Sequence, residues 1–411
     1  MRSPLATIFF TVFMDLLGVG IAIPTTAVVL LNPHSGLLSP SVVFATRTFL
    51  LGLLIASYPL AQFFGAPILG ALSDRFGRKK ILTLSLLGTF VGYIFFASGI
   101  LAHSLLLLFL SRIIDGFTGG NISIALSAMA DISSDKDKPK NFGLVGMAFG
   151  LGFILGPYIG GKLSDPSIVS FFNLATPFWF AAFLSLVNIL LVIKNLPETL
   201  KNKVHRPVSF TTGFKNLAKA MSMGNLRTLF TVVFLLTFGF SFFAQFFQVF
   251  LIQKFHYSQS QIGDLFAYIG LWIAITQGLL TRAISKKFSP TQILSVTILT
   301  LGLMFPLLLL PHKAIYLYFL LPFVAMSNGL TQPNSTTLIS SLAESNSQGE
   351  ILGISQSIQS LGMALPPLIS GFIVSLNINL PILVACFCTL ASWFVFTYSF
   401  KPKHKVKFQE V

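Results

Sequence analysis

A chain of 411 residues that is 54% hydrophobic and only 9% charged falls far outside soluble composition, in which charged residues make up about 25%. A membrane span takes about 20 apolar residues to cross roughly 30 Å of hydrocarbon, so a dozen spans would use most of the length and exclude a sizeable soluble domain. The formal charge of +15 sits in short loops between apolar runs, which argues for membrane orientation and against a nucleic-acid surface.

In chain order, apolar runs between breakers predict spans near 5–31, 46–72, 80–101, 104–130, 141–163 and 175–195. A second set follows near 226–253, 262–284, 290–310, 313–340, 350–376 and 379–400. The expected fold is all-α integral membrane: twelve transmembrane helices in two pseudo-symmetric six-helix bundles. Residues 1–195 form the first bundle, 196–225 a cytoplasmic linker, and 226–411 the second bundle with a short basic tail. The linker is the only extended polar stretch and carries Pro197 and Pro207. Asp15 interrupts the first apolar run, which is span-length, so that run reads as a retained helix and not as a cleaved signal.

Basic residues cluster at Arg2, Arg75 to Lys80, Lys136 to Lys140, Lys194 to Arg227, Arg282 to Lys287 and Lys401 to Lys407. These clusters recur at every second loop, which places those loops and both termini in the cytoplasm. Arg47, Arg112, Lys162, Lys254 and Lys313 fall within the membrane or on its other side. Cys386 and Cys388 lie in the last span and read as small core residues, not as a disulfide framework. All six histidines fall in loops or at helix ends, so neither a midplane histidine relay nor a metal site is expected. No cofactor is expected either.

The two halves echo each other. Gly70 to Lys80 has a decayed copy at Gly278 to Phe288, and Gly156 to Gly161 finds a partner at Pro366 to Gly371, at nearly the same offset. Two like-oriented repeats suit alternating access, with substrate held between them at the midplane.

The segment Gly70-Ala71-Leu72-Ser73-Asp74-Arg75-Phe76-Gly77-Arg78-Lys79-Lys80 puts charge and glycine between two spans. Gly70 and Gly77 would permit close helix approach and a tight turn. Asp74 is placed to face a helix N-terminus or a cation, and Arg78 to reach an acid such as Asp131. Arg75, Lys79 and Lys80 also serve as topology anchors. In span 5, Gly150, Gly152, Gly156, Pro157, Gly160 and Gly161 combine a helix-kinking proline with glycines at packing spacing.

The Gly70–Lys80 segment resembles the loop signature of the major facilitator superfamily. That resemblance implies that Asp74, Arg78 and Asp131 form a charge relay latching the outward-open state shut on its cytoplasmic side, with Gly70, Arg75 and Gly77 as further members of the latch. The Gly150–Gly161 segment resembles the span-5 signature of the antiporter branch, which implies an interface sealed against proton leak during export. The wider match is to twelve-span drug/proton antiporters, similar to tetracycline-type exporters. It rests on Asp15, Gly18, Gly20 and Pro24 in span 1, on Arg112, Asp115, Gly116, Gly119 and Asp131 in span 4, and on Leu196 to Leu200 after span 6. In the second half it rests on Gly329, Pro333, Gln348 to Glu350, Gly353, Gln356 and Ser357. Tetracycline exporters also carry an acid in span 3 before a tyrosine and another in span 9. Here Gly92 precedes Tyr93, and residues 290–310 hold no acid. The tetracycline label is therefore declined and the broader one kept.

Ionisable groups deep in a membrane are functional candidates by default. Asp15 is the leading proton carrier, with Arg112 and Asp115 as coupling residues; the latter two stand three apart on one helix and can pair. Protonated and deprotonated Asp15 would favour different access states, with cationic substrate competing for the carboxylate. An aromatic lining is expected on span 7 from Phe243 and Phe247, which share a helical face with Phe246 and Phe250. Polar contacts are expected from Gln245, Gln248, Gln277, Asn328 and Gln356. Aromatic walls with a few amides suit bulky amphipathic compounds.

The function expected is proton-coupled antiport exporting amphipathic or drug-like small molecules. The alternative is export of a native metabolite or siderophore, or a facilitator without coupling. An enzyme would need a converging nucleophile, base or metal set, and a sensor an output domain; neither is legible. The expected partners are a small-molecule substrate, protons and the lipid bilayer, with no nucleic acid and a monomeric state, in a bacterial inner membrane.

Overall fold

The long apolar runs fold into helices because a lipid-facing backbone must satisfy its hydrogen bonds internally. The computed structural model describes residues 4–133, 138–200, 211–342 and 348–400. Linker residues 201–210, the basic tail 401–411, Arg2 and Lys136 lie outside the described residues.

The first half comprises α1 (Pro4–Leu31), α2 (Phe44–Phe76), α3 (Arg78–Leu101), α4 (Leu105–Thr118), α5 (Asn121–Ile132), α6 (Lys138–Leu163) and α7 (Thr176–Asn195). After α8 (Thr212–Ser222) come α9 (Gly224–Phe255), α10 (Gln259–Ile275), a π turn Thr276–Leu280 and α11 (Thr281–Ser285). The chain ends through α12 (Pro290–Leu307), a 3₁₀ turn Ala314–Tyr316, α13 (Leu317–Leu342), α14 (Gln348–Ile373) and α15 (Leu380–Ser399). Among the described residues, 10 helical stretches are long and apolar enough to cross a membrane. The 26-residue helices α6 and α14 occupy the fifth and eleventh expected spans. Each of the twelve expected spans therefore has its helix, and no strand is present among the described residues.

Two expected spans are discontinuous. Span 4 breaks at Gly119–Gly120 into α4 and α5. The carbonyls freed at the break are caught by neighbours: Gln62 Nε2 donates to the Gly119 carbonyl at 2.9 Å, and the Ser85 hydroxyl donates to that of Thr118. Span 8 carries the π turn, closed by Thr281 Oγ1 donating to the Thr276 carbonyl at 2.9 Å. The linker adds a short amphipathic helix, α8, that the polar composition of 196–225 did not announce.

Helices α1, α6 and α7 pack together, and α3 packs on both α4 and α7; in the second half α9 packs on α14 and α15, and α12 on α13 and α15. Contacts between the halves run chiefly through α2 with α14 and α6 with α10. They are unevenly placed along the membrane normal. Towards the end where α1 stops and α2 starts, one apolar cluster joins Leu17, Ile21, Leu51 and Phe178 to Phe246, Val249 and Val374. There Gly52 lies against Pro367 and Gly371, and Gly161 against Gln259 and Gly263. Lys162 Nζ on α6 meets Asp264 Oδ2 on α10 at 2.9 Å and Ser260 Oγ at 2.7 Å. Arg47 is buried at that end and ties down the 32–43 loop by donating to the carbonyls of Leu30, Ser39 and Val42.

At the Gly77 end the described apolar clusters stay within one half. One contains Ile8, Leu69, Leu82, Ile124 and Val192, the other Leu229, Leu294, Ile339 and Ile358. Among the described residues, apolar packing joins the halves at the 31–44 end, and at the Gly77 end α8 reaches across between separate clusters. Phe214 of α8 packs edge-on against Phe63 of α2 at 5.3 Å, and Asn216 donates to Ser357 Oγ of α14 at 3.0 Å. Cys388 is buried and Cys386 partly so, both as free thiols.

Candidate functional site

Polar groups inside an apolar bundle have no water to bond and must find one another. Asp15 on α1, Arg112 and Asp115 on α4, and Asn121 at the start of α5 are 6%, 7%, 3% and 0% exposed. Asn121 Nδ2 donates to Asp15 Oδ1 at 2.5 Å, and Arg112 Nη2 lies 3.4 Å from Asp115 Oδ2. The guanidinium also stacks over Phe96, with 4.7 Å from Cζ to the ring centre, and stands 5.9 Å from the Tyr58 ring. Cation–π contact of this kind holds a desolvated charge in place.

The cluster is not electrically closed. Arg112 pairs with Asp115 and not with Asp15, whose Oδ2 has no hydrogen-bond partner. Uncompensated buried charge is costly, so a proton or a cationic ligand is the natural complement of Asp15. Position 92 explains the acid missing from span 3. A β-carbon on Gly92 would lie 2.8 Å from Asp115 Cβ and 3.3 Å from the Ser111 carbonyl, so α4 leaves no room there for a side chain on span 3.

Sequence reasoning missed Asn121, Tyr58 and Tyr93. Tyr93 is 3% exposed, and its ring abuts α1 at Gly18. The available signal for Asn121 was the Gly119-Gly120 pair just before it, a helix-breaking dipeptide inside a span.

At the Gly77 end, Arg78 Nη1 pairs with Asp74 Oδ1 at 2.5 Å, Arg78 Nε with Asp131 Oδ2 at 3.1 Å, and Arg78 Nη1 donates to Ser73 Oγ at 2.7 Å. Glu198 caps α3, accepting from the backbone N–H of Arg78 at 2.8 Å and of Lys79 at 3.3 Å. Thr199 Oγ1 donates to Asp131 Oδ2 at 3.2 Å. Gly77 turns at φ 110°, in the left-handed region that suits glycine. Two expectations need correction. Gly70 has open space where its side chain would be, so it is not a site of close helix approach in this conformation. Arg75 is exposed and lies over the Phe76 ring, outside the ion-pair set.

The span-5 glycines form two seams. A β-carbon on Gly152 would lie 2.7 Å from Leu16 Cβ, one on Gly156 2.7 Å from the Leu17 carbonyl oxygen, and one on Gly160 would collide with the carbonyl of Ile21. Pro157 packs against Gly20 from the same face. Gly161 faces the other way, onto Gln259 and Gly263 of α10. One side of α6 thus lies on α1 and the other on the second half.

The second-half candidates are dispersed. Phe243 and Phe247 are 2% and 0% exposed and pack with Phe305, Leu301 and Leu265. They form apolar core between helices of one half, which corrects their reading as a pocket lining. Phe246, assigned to the same face, packs instead into the cluster joining the two halves. Gln248 is 2% exposed; its Nε2 donates to the Gln245 carbonyl at 3.2 Å, and its Oε1 has no partner. Gln277 lies in the π turn, Asn328 is half-buried on α13 and Gln356 is exposed on α14. No hydrogen bond links these three among the described residues. Among the described residues there is also no metal-binding group of His, Cys, Asp and Glu.

Comparison with known proteins fits this architecture. The chain is 30% identical over 369 residues to "Tetracycline resistance protein, class C" of Escherichia coli, covering 90% of this chain and 89% of that protein. It is 30% identical over 403 residues to "Multidrug resistance protein 1" of Bacillus subtilis, covering 97% of each. The crystal structure of the human organic anion transporter MFSD10 (TETRAN) superposes with a TM-score of 0.70 at 23% identity, over 95% of this chain and 98% of that one. The family model of the Major Facilitator Superfamily matches residues 5–367. This multi-pass, non-enzymatic membrane transport protein belongs to the Major Facilitator Superfamily.

Proposed function

We propose that the chain is a proton-coupled antiporter that exports amphipathic or drug-like small molecules by alternating access. The observation that carries this reading is the buried cluster in which Asp15, unpaired at Oδ2, is left over after Arg112 meets Asp115. A proton arriving from outside neutralises Asp15; a cationic substrate arriving from inside competes for the same carboxylate. The names of the bacterial relatives support a drug-like substrate. Gln248, with its unpartnered Oε1, is the foremost polar contact from the second half, followed by Gln245, Gln277, Asn328 and Gln356.

The positive-inside pattern puts the Gly77 end, and both termini, in the cytoplasm of a bacterial inner membrane. In that frame the closed 31–44 end is external, and the conformation is inward-facing. The bundles 1–195 and 226–411 rock about the α2–α14 and α6–α10 contacts, with 196–225 as their tether and a monomer as the working unit. Asp74, Arg78 and Asp131 act as the cytoplasmic latch, and the Gly152–Gly161 seam keeps protons from leaking beside α1.

Everted vesicles with an imposed proton gradient test the reading. Adding a lipophilic cation such as tetraphenylphosphonium should dissipate the gradient in the parent and leave it intact in Asp15→Asn. Substrate movement with no proton flux in the parent would instead establish a facilitator.

A further inference from the structure

Asn121 connects two parts of the molecule. Its side chain bonds Asp15, and it opens α5, a 12-residue helix whose other end carries Asp131, the partner of Arg78. At 1.5 Å per residue α5 is about 18 Å long. Gly119–Gly120 separates it from α4, so it has its own hinge.

The hydrogen bonds around Asn121 are incomplete in a specific way. Nδ2 donates to Asp15 Oδ1, while Asn121 Oδ1 and Asp15 Oδ2 are both buried without partners. Both orphans are acceptors when Asp15 is ionised, and neither can satisfy the other. A proton on Asp15 Oδ2 turns that oxygen into a donor, and the Asn121 carbonyl is the acceptor it lacks. The neutral acid and the amide then close a two-bond ring; the carboxylate and the amide share one bond. Buried unsatisfied groups are expensive, so the two protonation states hold α5 with different strength.

Among the described residues, the ionisable groups coupled electrostatically to Asp15 are Asp115 on α4, Tyr58 on α2 and Tyr93 on α3, with Arg112 standing beside Asp115. Helix α6 meets α1 with Gly152 and Gly156, and α7 bonds Thr11 through Asn188. Asn121 is the group hydrogen-bonded to Asp15.

We propose that Asn121 is a positioning residue that reads the protonation of Asp15 and passes it along α5 to the Asp131–Arg78 latch. The inference rests on Asp15 being the proton carrier, and its test separates the two.

The test is infrared difference spectroscopy on the purified protein in liposomes, between acid and alkaline pH. A carboxylic acid carbonyl band that appears in the parent and is absent from Asp15→Asn belongs to Asp15; if no such band exists, the carrier reading fails first. Given the band, Asn121→Ala should move it to higher frequency, as a hydrogen bond is lost. Labelling asparagine with ¹³C needs no change at Asn121. An amide carbonyl should shift together with the acid band in the parent and stay still in Asp15→Asn. An acid band present without that amide shift overturns the proposal. The link to the latch is read from substrate-driven proton flux in Asn121→Ala, Asp131→Asn and the double variant. Coupling through α5 predicts a double variant no slower than the slower single one; fold-losses that simply multiply would sink it.

Discussion

Single residues at the centre of the first half are fixed by space as much as by charge. Gly92 is small because Asp115 Cβ needs the room, only 2.8 Å from where a side chain would begin. Gly92→Asp should therefore cost about 1–3 kcal/mol through overpacking, seen as a lower melting temperature of the purified protein. Gly92→Asp combined with Asp115→Gly, which returns the acid to span 3, should recover most of it; an equally unstable double variant would refute the exchange. At the turn, Gly77→Ala forces an alanine to φ 110° against the Glu198 carboxylate. Backbone strain there is worth roughly 1–3 kcal/mol, and thermal melting that matches the parent would contradict it. Asp15, Arg112 and Asp115 were legible because charge in an apolar run is anomalous. Asn121 was not, since an uncharged amide in a span breaks no rule until its partner is known.

Elements carry the next layer. α6 lies between α1 and α10, and its Gly156 sits where a β-carbon would meet the Leu17 carbonyl at 2.7 Å, backbone that cannot swing aside. Gly156→Ala should push α1 from α6 and cost about 1–3 kcal/mol; proteoliposomes carrying it should leak protons without substrate, and a tight membrane would count against the seal. Across the closed end, Lys162 and Asp264 are 30% and 40% exposed, so their pair is worth only about 0.2–1 kcal/mol. Lys162→Met should raise the outward-open fraction by at most about fivefold, measurable by single-molecule distance distributions, and a closed end that becomes more populated would be the wrong sign. The spans themselves were readable from apolar length. The break in span 4 had a local cue in Gly119-Gly120, but the groups that hold it, Gln62 and Ser85, and the Phe63 contact of helix α8 lie far away in sequence; the π turn in span 8 left no mark on apolar length. The phenylalanine stripe on α9 shows the opposite failure. Its helical spacing was clear, but which neighbour covers Phe243 and Phe247 is a tertiary fact, and the cover is the core of the second half.

For the whole molecule, the asymmetry of the apolar clusters defines the state: one cluster spans both halves at the 31–44 end, and separate clusters fill the Gly77 end. Internal repetition in the sequence hinted at two bundles, but no sequence feature says which end is closed, because a transporter's chain must suit both states. On the proposed mechanism a proton on Asp15 drives export. Its most direct test compares two modes of the same reconstituted protein, substrate–substrate exchange and substrate movement driven by an imposed proton gradient, in the parent and in Asp15→Asn. In Asp15→Asn, with its fold intact, exchange of an uncharged amphipathic substrate should persist while gradient-driven movement falls to background. Gradient-driven transport at the parent rate in Asp15→Asn would contradict it.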